Sequence, residues 1–222
     1  MNFSIANYTT EKSVKWLPLV LAAAIIFGFW SWYFSAVDGT WLSQTMFNAK
    51  AAVADITPEE RDMLKAMITP GLLKTSTMFG ALGGLILTAL LMSTYVTLFS
   101  RFAMPADKEV PFALSFNIAS LASFGTALLH GMYALYVLLS PENKVSLYQV
   151  DFLTLNNLIF NLAPTHPMFS LANGISLSSV LFVGLCAYLL HKRTHYPMGK
   201  AVAVYGAPYL AIVGTILFLA VV

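Results

Sequence analysis

The 222-residue chain is 58% hydrophobic and only 10% charged, far below the roughly 25% charged residues of an average soluble domain. Its formal net charge of +2 at pH 7 is dispersed, with no basic run longer than Lys192-Arg193, which excludes a nucleic-acid-binding protein. The single cysteine, Cys186, can form no intrachain disulfide.

Five long runs of the sequence contain no Asp, Glu, Lys or Arg; they cover residues 16–37, 75–100, 112–139, 168–190 and 201–222. A hydrocarbon core about 30 Å thick takes about 20 residues of helix, and a helix satisfies its own backbone polar groups there. We therefore predict an all-α polytopic membrane protein, with five transmembrane helices in a single domain after a short N-terminal segment. The first run exceeds the roughly 7 to 15 apolar residues of a signal peptide, so we expect an uncleaved span.

Basic residues concentrate in three of the segments that flank these runs. Residues 1–15, 101–111 and 191–200 hold seven of the 12 Lys and Arg residues, whereas the longer loops 38–74 and 140–167 hold seven of the ten acids. By the positive-inside rule the short basic segments face the cytoplasm. We predict a cytoplasmic N-terminus, a C-terminus outside, and both long loops outside.

The first long loop contains a helix start at Thr57-Pro58-Glu59-Glu60. The threonine can cap free N–H groups, proline suits the first helical position, and Glu60 can close a capping box. Apolar residues then recur at helical spacing until Pro70-Gly71. We predict an amphipathic helix that either lies against the bundle or the headgroups, or docks a partner through Met63, Leu64 and Met67. A preceding helix is predicted over residues 41–53.

The second long loop carries an apolar run from Val150 to Leu162. At 13 residues the run is too short to span a bilayer and is typical of an interfacial or re-entrant helix. Pro164 and Pro167 follow it, and proline lacks the N–H that a helix needs. We therefore predict one helix over this run.

Small and polar residues mark the second, third and fourth runs. Gly80 and Gly84 lie four residues apart, where missing side chains let another helix approach closely. Helix packing explains the polar residues of the third and fourth runs. A groove for lipid headgroups or a small solute is the alternative interpretation. That candidate polar groove comprises Asn117, Ser120, His130, Asn173 and Ser176.

His130 is the one Asp, Glu, Lys, Arg or His within the five runs. We expect a neutral, hydrogen-bonded imidazole, with a proton-linked or metal-binding role as the alternative. The sequence has no HExxH, no Gly-rich phosphate loop and no paired intramembrane carboxylates. We therefore predict a non-enzymatic protein with no catalytic residues, metal site or cofactor.

Several short motifs share their order along the chain with one family: residues 57–61 (TPEER), 80–84 (GALGG), 111–115 (PFALS), 174–179 (GISLSS), 191–193 (HKR) and 199–202 (GKAV). In these motifs and in its hydropathy, from about Trp16 onward, the chain resembles bacterial members of the Yip family. That family is named for Ypt/Rab-interacting membrane proteins and has a five-helix membrane domain. The acidic-Leu-Tyr-Gly-Pro motif of its eukaryotic members is absent, so no Rab-binding role is implied.

The resemblance implies a multi-pass protein of the bacterial inner membrane without an assigned enzymatic activity. It implies an accessory or scaffold role, as an auxiliary subunit of an ABC-type exporter or of an envelope lipid-handling assembly. The expected partners are membrane lipids and either another inner-membrane protein or a second copy of the chain. Direct handling of a lipid or small solute in the candidate polar groove is the alternative function.

Overall fold

The computed structural model describes residues 14–52, 57–103 and 109–221, and this part of the chain is helical with no β-strand. The α-helices are α1 (Leu17–Ala36), α2 (Gly39–Ala51), α3 (Pro58–Met67), α4 (Pro70–Ala103), α5 (Phe112–Ala127), α6 (Leu129–Leu139), α7 (Phe169–Gly174), α8 (Leu177–Thr194) and α9 (Met198–Val221). A 3₁₀ turn (Pro141–Asn143) and a π-helical turn (Asn156–Phe160) lie between α6 and α7. The predicted all-α class is confirmed.

Three helical stretches are long and apolar enough to cross a membrane: Leu17–Ala36, Pro70–Ala103 and Phe112–Leu139. They correspond to the first three predicted spans, and the third is interrupted at Leu128, between α5 and α6. The last turn of α8 contains His191, Lys192 and Arg193. Membrane insertion is therefore supported by three helices, and crossing by the fourth and fifth runs stays a prediction.

The predicted start of the fourth span, at residue 168, is wrong. Residues Phe169–Gly174 form the separate short helix α7, Ile175 is extended, and α8 begins only at Leu177. Ser176, between these two helices, instead forms an antiparallel β-bridge with Thr154 of the second long loop. Its hydrogen bonds run from the Leu155 N–H to the Ile175 carbonyl (2.7 Å) and from the Leu177 N–H to the Leu153 carbonyl (2.9 Å).

The predicted helix over 150–162 is also wrong, since only the π-helical turn forms there. The cause is the pair Asn156 and Asn157, whose side chains bond the backbone in competition with a regular helix. Asn156 Oδ1 accepts from the Leu162 N–H at 2.8 Å, and Asn157 Nδ2 donates to the Tyr148 and Asp151 carbonyls at 2.9 and 2.8 Å. The turn ends at Asn161, which has a left-handed backbone with φ 49°.

The chain forms two compact units. Unit 1 comprises residues up to Ala24, Gly83–Leu128 and Ser178–Thr215, and unit 2 comprises Ile25–Leu82, Leu129–Leu177 and residues from Ile216 onward. Both α1 and α4 contribute residues to each unit. The predicted loop helices lie in unit 2.

The core of unit 1 combines large side chains, such as the fully buried Phe116, Leu114 and Tyr205, with small residues on α4, α5, α8 and α9. Its buried positions include Ala119, Ala187 and Ala201, together with serine hydroxyls such as those of Ser93 and Ser120. Small side chains let membrane helices approach closely. The core of unit 2 is rich in aromatic side chains and includes the fully buried Tyr33 of α1, whose hydroxyl donates to the Val145 carbonyl at 2.6 Å.

The closest glycine contact is not the predicted one. Gly80 and Gly84 are exposed, and an added Cβ at either position would have no neighbouring atom within 4 Å in the described chain. The predicted tight contact of these glycines with another helix is therefore not made among the described residues. An added Cβ at Gly125 of α5 would instead lie 2.8 Å from Leu185 Cδ1 of α8.

We predict that Gly125→Leu destabilises the protein and that Gly84→Leu does not. Both substitutions remove a helical glycine and so gain similar helix propensity, but only the first inserts a side chain into a packed interface, at a cost of about 1–3 kcal/mol. The measurement is the thermal unfolding midpoint in detergent. Equal midpoints for the two variants would contradict the packing of α5 on α8.

Candidate functional site

Two segments far apart in the sequence line an open cavity of about 570 Å³ within unit 2. We call it the loop cavity. One wall belongs to the first long loop and is lined by Ala49, Lys50, Glu60, Met63, Leu64 and Met67; the other belongs to the second long loop and α7 and is lined by Tyr148, Pro164, Phe169 and Ser170. Its volume falls within the range of about 300–1,000 Å³ that is typical of ligand pockets.

Helix α3, which supplies most of the first wall, begins with the predicted capping box. The Glu60 N–H donates to Thr57 Oγ1 (3.3 Å), while the Thr57 N–H and hydroxyl donate to Glu60 Oε2 (2.8 and 2.9 Å). Pro58 follows the cap at the start of the helix. The bonds from Thr57, chiefly from its backbone N–H, hold the pKa of the Glu60 carboxyl below its ordinary value. The carboxylate is therefore charged at neutral pH.

Helix α3 is attached to unit 2 by few contacts and has no buried residue. The Arg61 guanidinium lies 5.7 Å from the centre of the Phe47 ring of α2, a cation–π geometry, and Leu64 packs against the unit 2 core. Met63 and Met67 remain 66% and 67% exposed. The helix is therefore stabilised at its N-terminus by the cap, and its apolar face is left to line the cavity.

The opposite wall is aromatic, and a hydrogen bond from Asn157 holds its backbone in place. The Tyr148 and Phe169 rings meet edge to face, with centroids 5.2 Å apart, and the Tyr148 carbonyl accepts the bond from Asn157 described above. Partial burial raises the pKa of the Tyr148 phenol, which keeps the hydroxyl neutral at pH 7. The cavity is thus apolar inside, with the charged groups of Lys50 and Glu60 among its lining residues.

The structure gathers the three residues predicted to dock a partner, because Met63, Leu64 and Met67 all line the loop cavity. Sequence reasoning missed the aromatic wall. Phe169 was included in a predicted span and Tyr148 was not singled out. The adjacent Asn156 and Asn157, inside the apolar run 150–162, were a local signal that the second loop is not a plain helix.

The five residues of the candidate polar groove do not line one groove in either unit. Asn117 and Ser120 belong to unit 1, whereas His130, Asn173 and Ser176 belong to unit 2, and none of the five lines the loop cavity. Asn117 Oδ1 accepts from the Lys15 N–H at 2.6 Å, and Asn173 Oδ1 accepts from the Thr154 hydroxyl at 3.3 Å. The Asn117 amide therefore bonds the backbone just before α1, and the Asn173 amide bonds the second long loop.

His130 is half-buried among aromatic rings of unit 2. Its ring centre lies 5.1 Å from that of Phe29 and 5.3 Å from that of Tyr133, both nearly edge to face. Within residues 14–52, 57–103 and 109–221, no group of three or more His, Cys, Asp or Glu side chains is placed to hold a metal ion. The surroundings of His130 are those of a packed aromatic side chain.

Comparison of the chain with protein-family models, with curated proteins and with solved structures finds no match. The described residues define a helical protein with three membrane-spanning candidates and a ligand-sized apolar cavity between its two long loops.

We predict that Thr57→Ala loosens α3 and that Thr57→Ser does not, because serine retains the capping hydroxyl. Loss of an N-cap should speed hydrogen exchange of the α3 amides about fivefold, measured by mass spectrometry in detergent. The carboxylate bond adds a pH dependence: because the pKa of Glu60 is lowered from 4.5, protection is complete above that value and is lost as the pH falls through the lowered pKa. Exchange of the α3 amides that is as slow in Thr57→Ala as in Thr57→Ser would contradict the capping role.

Proposed function

We propose that this chain is a non-enzymatic accessory or scaffold protein of the bacterial inner membrane, related to the Yip family. It serves as an auxiliary subunit of an envelope lipid-handling assembly or of an ABC-type exporter. Its task is to hold an apolar part of its partner or cargo in the loop cavity. The observation that carries the proposal is the preformed cavity, with the apolar face of α3 as one wall and an aromatic pair as the other.

The chemistry of the wall supports binding. Met63 and Met67 leave about two thirds of their surfaces exposed, and covering apolar surface is favourable by about 25 cal/mol per Å². Methionine side chains are flexible and polarizable, so they adapt to ligands of different shape. The capped helix behind them keeps the wall in place without a ligand.

The charge distribution supports a role that depends on a partner. Coupled transport needs groups within the spans that change charge or bind an ion, and among the acidic, basic and histidine side chains the predicted spans offer His130 alone. We infer five spans, a cytoplasmic N-terminus and long loops on the outer side, on the strength of the basic residues in the short loops. The loop cavity then faces the outer side of the membrane.

The first experiment is purification of the tagged chain from its native membrane in mild detergent. A stoichiometric partner, an apolar ligand, or both should copurify with the wild-type chain. The double variant Met63→Ser with Met67→Ser should lose most of this material, because it makes the cavity wall polar. Met198→Ser, at an exposed methionine outside the cavity, is the matched control and should retain it.

Two results would overturn the proposed function. One is robust ion-gradient-driven uptake by the isolated chain in liposomes with no partner. The other is equal copurification with the double variant and with the Met198→Ser control.

The orientation has its own test. Alkaline phosphatase fused after Val222 should be active, and fused after Arg193 it should be inactive, because the enzyme folds only outside the cytoplasm. Activity is measured in whole cells against equal amounts of fusion protein. The opposite pattern would place both long loops, and the loop cavity, in the cytoplasm.

A further inference from the structure

Two opposite charges line the loop cavity without neutralising each other. Lys50 lies in the last turn of α2 and Glu60 in the first turn of α3. In the described residues, no carboxylate oxygen lies within 4.0 Å of the Lys50 ammonium nitrogen. The ammonium and the carboxylate therefore stand at one cavity as separate charges.

The Glu60 carboxylate retains capacity for a ligand. Both bonds that it accepts from Thr57 end on Oε2, so Oε1 is not used by the capping box. A carboxylate can accept about four hydrogen bonds in all. A cationic group can thus bind Glu60 while the cap of α3 stays intact.

The size and lining of the cavity favour a lipid over a protein segment. A stable protein interface takes about 20–30 residues on each partner, whereas ten residues line the loop cavity, a ligand-sized space of about 570 Å³ with Met63, Met67 and Phe169 on its walls. The chain has three helices able to cross a membrane, which places lipid beside it. An amphiphile with an apolar chain fits the interior.

We propose that the loop cavity binds one acyl chain of a zwitterionic phospholipid, with the lipid phosphate on Lys50 and the lipid ammonium on Glu60. This inference rests on the proposed function and names the cargo of the same site. Phosphate and ammonium in one headgroup match the two unpaired charges at the cavity. An anionic headgroup satisfies Lys50 alone.

The test is native mass spectrometry of the full-length chain in detergent, titrated with phosphatidylethanolamine, phosphatidylglycerol or soluble phosphoethanolamine. We expect phosphatidylethanolamine to bind about tenfold more tightly than phosphatidylglycerol, the size of one added charged hydrogen bond. Soluble phosphoethanolamine should bind far more weakly than the lipid, because it lacks the acyl chain. Binding of the soluble compound as tightly as the lipid would overturn the placement of the chain.

Two variants test the two charges one at a time and leave the capping box of α3 intact. Lys50→Gln should weaken both phospholipids about tenfold. Glu60→Gln should abolish the preference for phosphatidylethanolamine while leaving phosphatidylglycerol binding unchanged, and glutamine still serves in a capping box. Lys65→Gln and Glu59→Gln, charged neighbours on α3 that do not line the cavity, are the controls and should behave as wild type.

The outcomes distinguish this inference from the proposed function. Equal binding of phosphatidylethanolamine and phosphatidylglycerol would overturn the headgroup assignment. So would Lys50→Gln and Glu60→Gln variants that bind lipid as their controls do. In that case, loss of lipid by the Met63→Ser, Met67→Ser double variant would leave the proposed function standing. Unchanged lipid binding and unchanged partner copurification by that double variant would overturn both.

Discussion

The reciprocal hydrogen bonds between Thr57 and Glu60 are the interaction on which the loop cavity depends. A ten-residue helix is marginal by itself in water, and most short helices are stabilised by burying an apolar face. Helix α3 buries no residue and is completed instead by its capping box and its N-terminal proline. Its apolar face is therefore not buried in the core and remains exposed on one wall of the cavity.

On the other wall, side-chain amides hold the backbone of the second loop in place. Asn156 and Asn157 satisfy backbone groups between Tyr148 and Leu162, so the second loop is held in an irregular path without a regular helix. This path brings Tyr148 against Phe169. The two walls are therefore rigid for different reasons: one is a capped helix, and the other is a loop fixed by asparagine side chains.

The described residues of unit 1 are explained by packing. Large side chains such as those of Phe116 and Tyr205 fill the interfaces of α4, α5, α8 and α9 together with alanine and serine, and Gly125 of α5 lies against Leu185 of α8. A smaller space of about 360 Å³ lies between α4 and α9, beside Pro208. Its lining is apolar apart from hydroxyl groups, which is what a surface facing acyl chains requires.

The sequence by itself determined the properties that depend on neighbouring residues. Charge-free runs predict membrane helices, because any polar backbone left unpaired in lipid is costly, and three of the five runs are found as helices able to span. The Thr57-Pro58-Glu59-Glu60 signal predicted the start of α3 correctly, since a capping box forms within four residues. Helical spacing likewise singled out Met63, Leu64 and Met67 as predicted docking residues, and all three lie on the cavity wall.

Only the tertiary structure decided which distant residues meet. Phe169 joins Met63 across one cavity although about a hundred residues separate them, and no local pattern encodes that contact. The π-helical turn replaced a predicted helix because Asn157 donates to carbonyls of the preceding segment and Asn156 accepts from the Leu162 N–H. Gly125, and not Gly80 or Gly84, makes the close contact because the partner side chain, Leu185, lies on another helix. Spacing along one helix shows where a close approach is sterically allowed, and the packing of the second helix decides where it occurs.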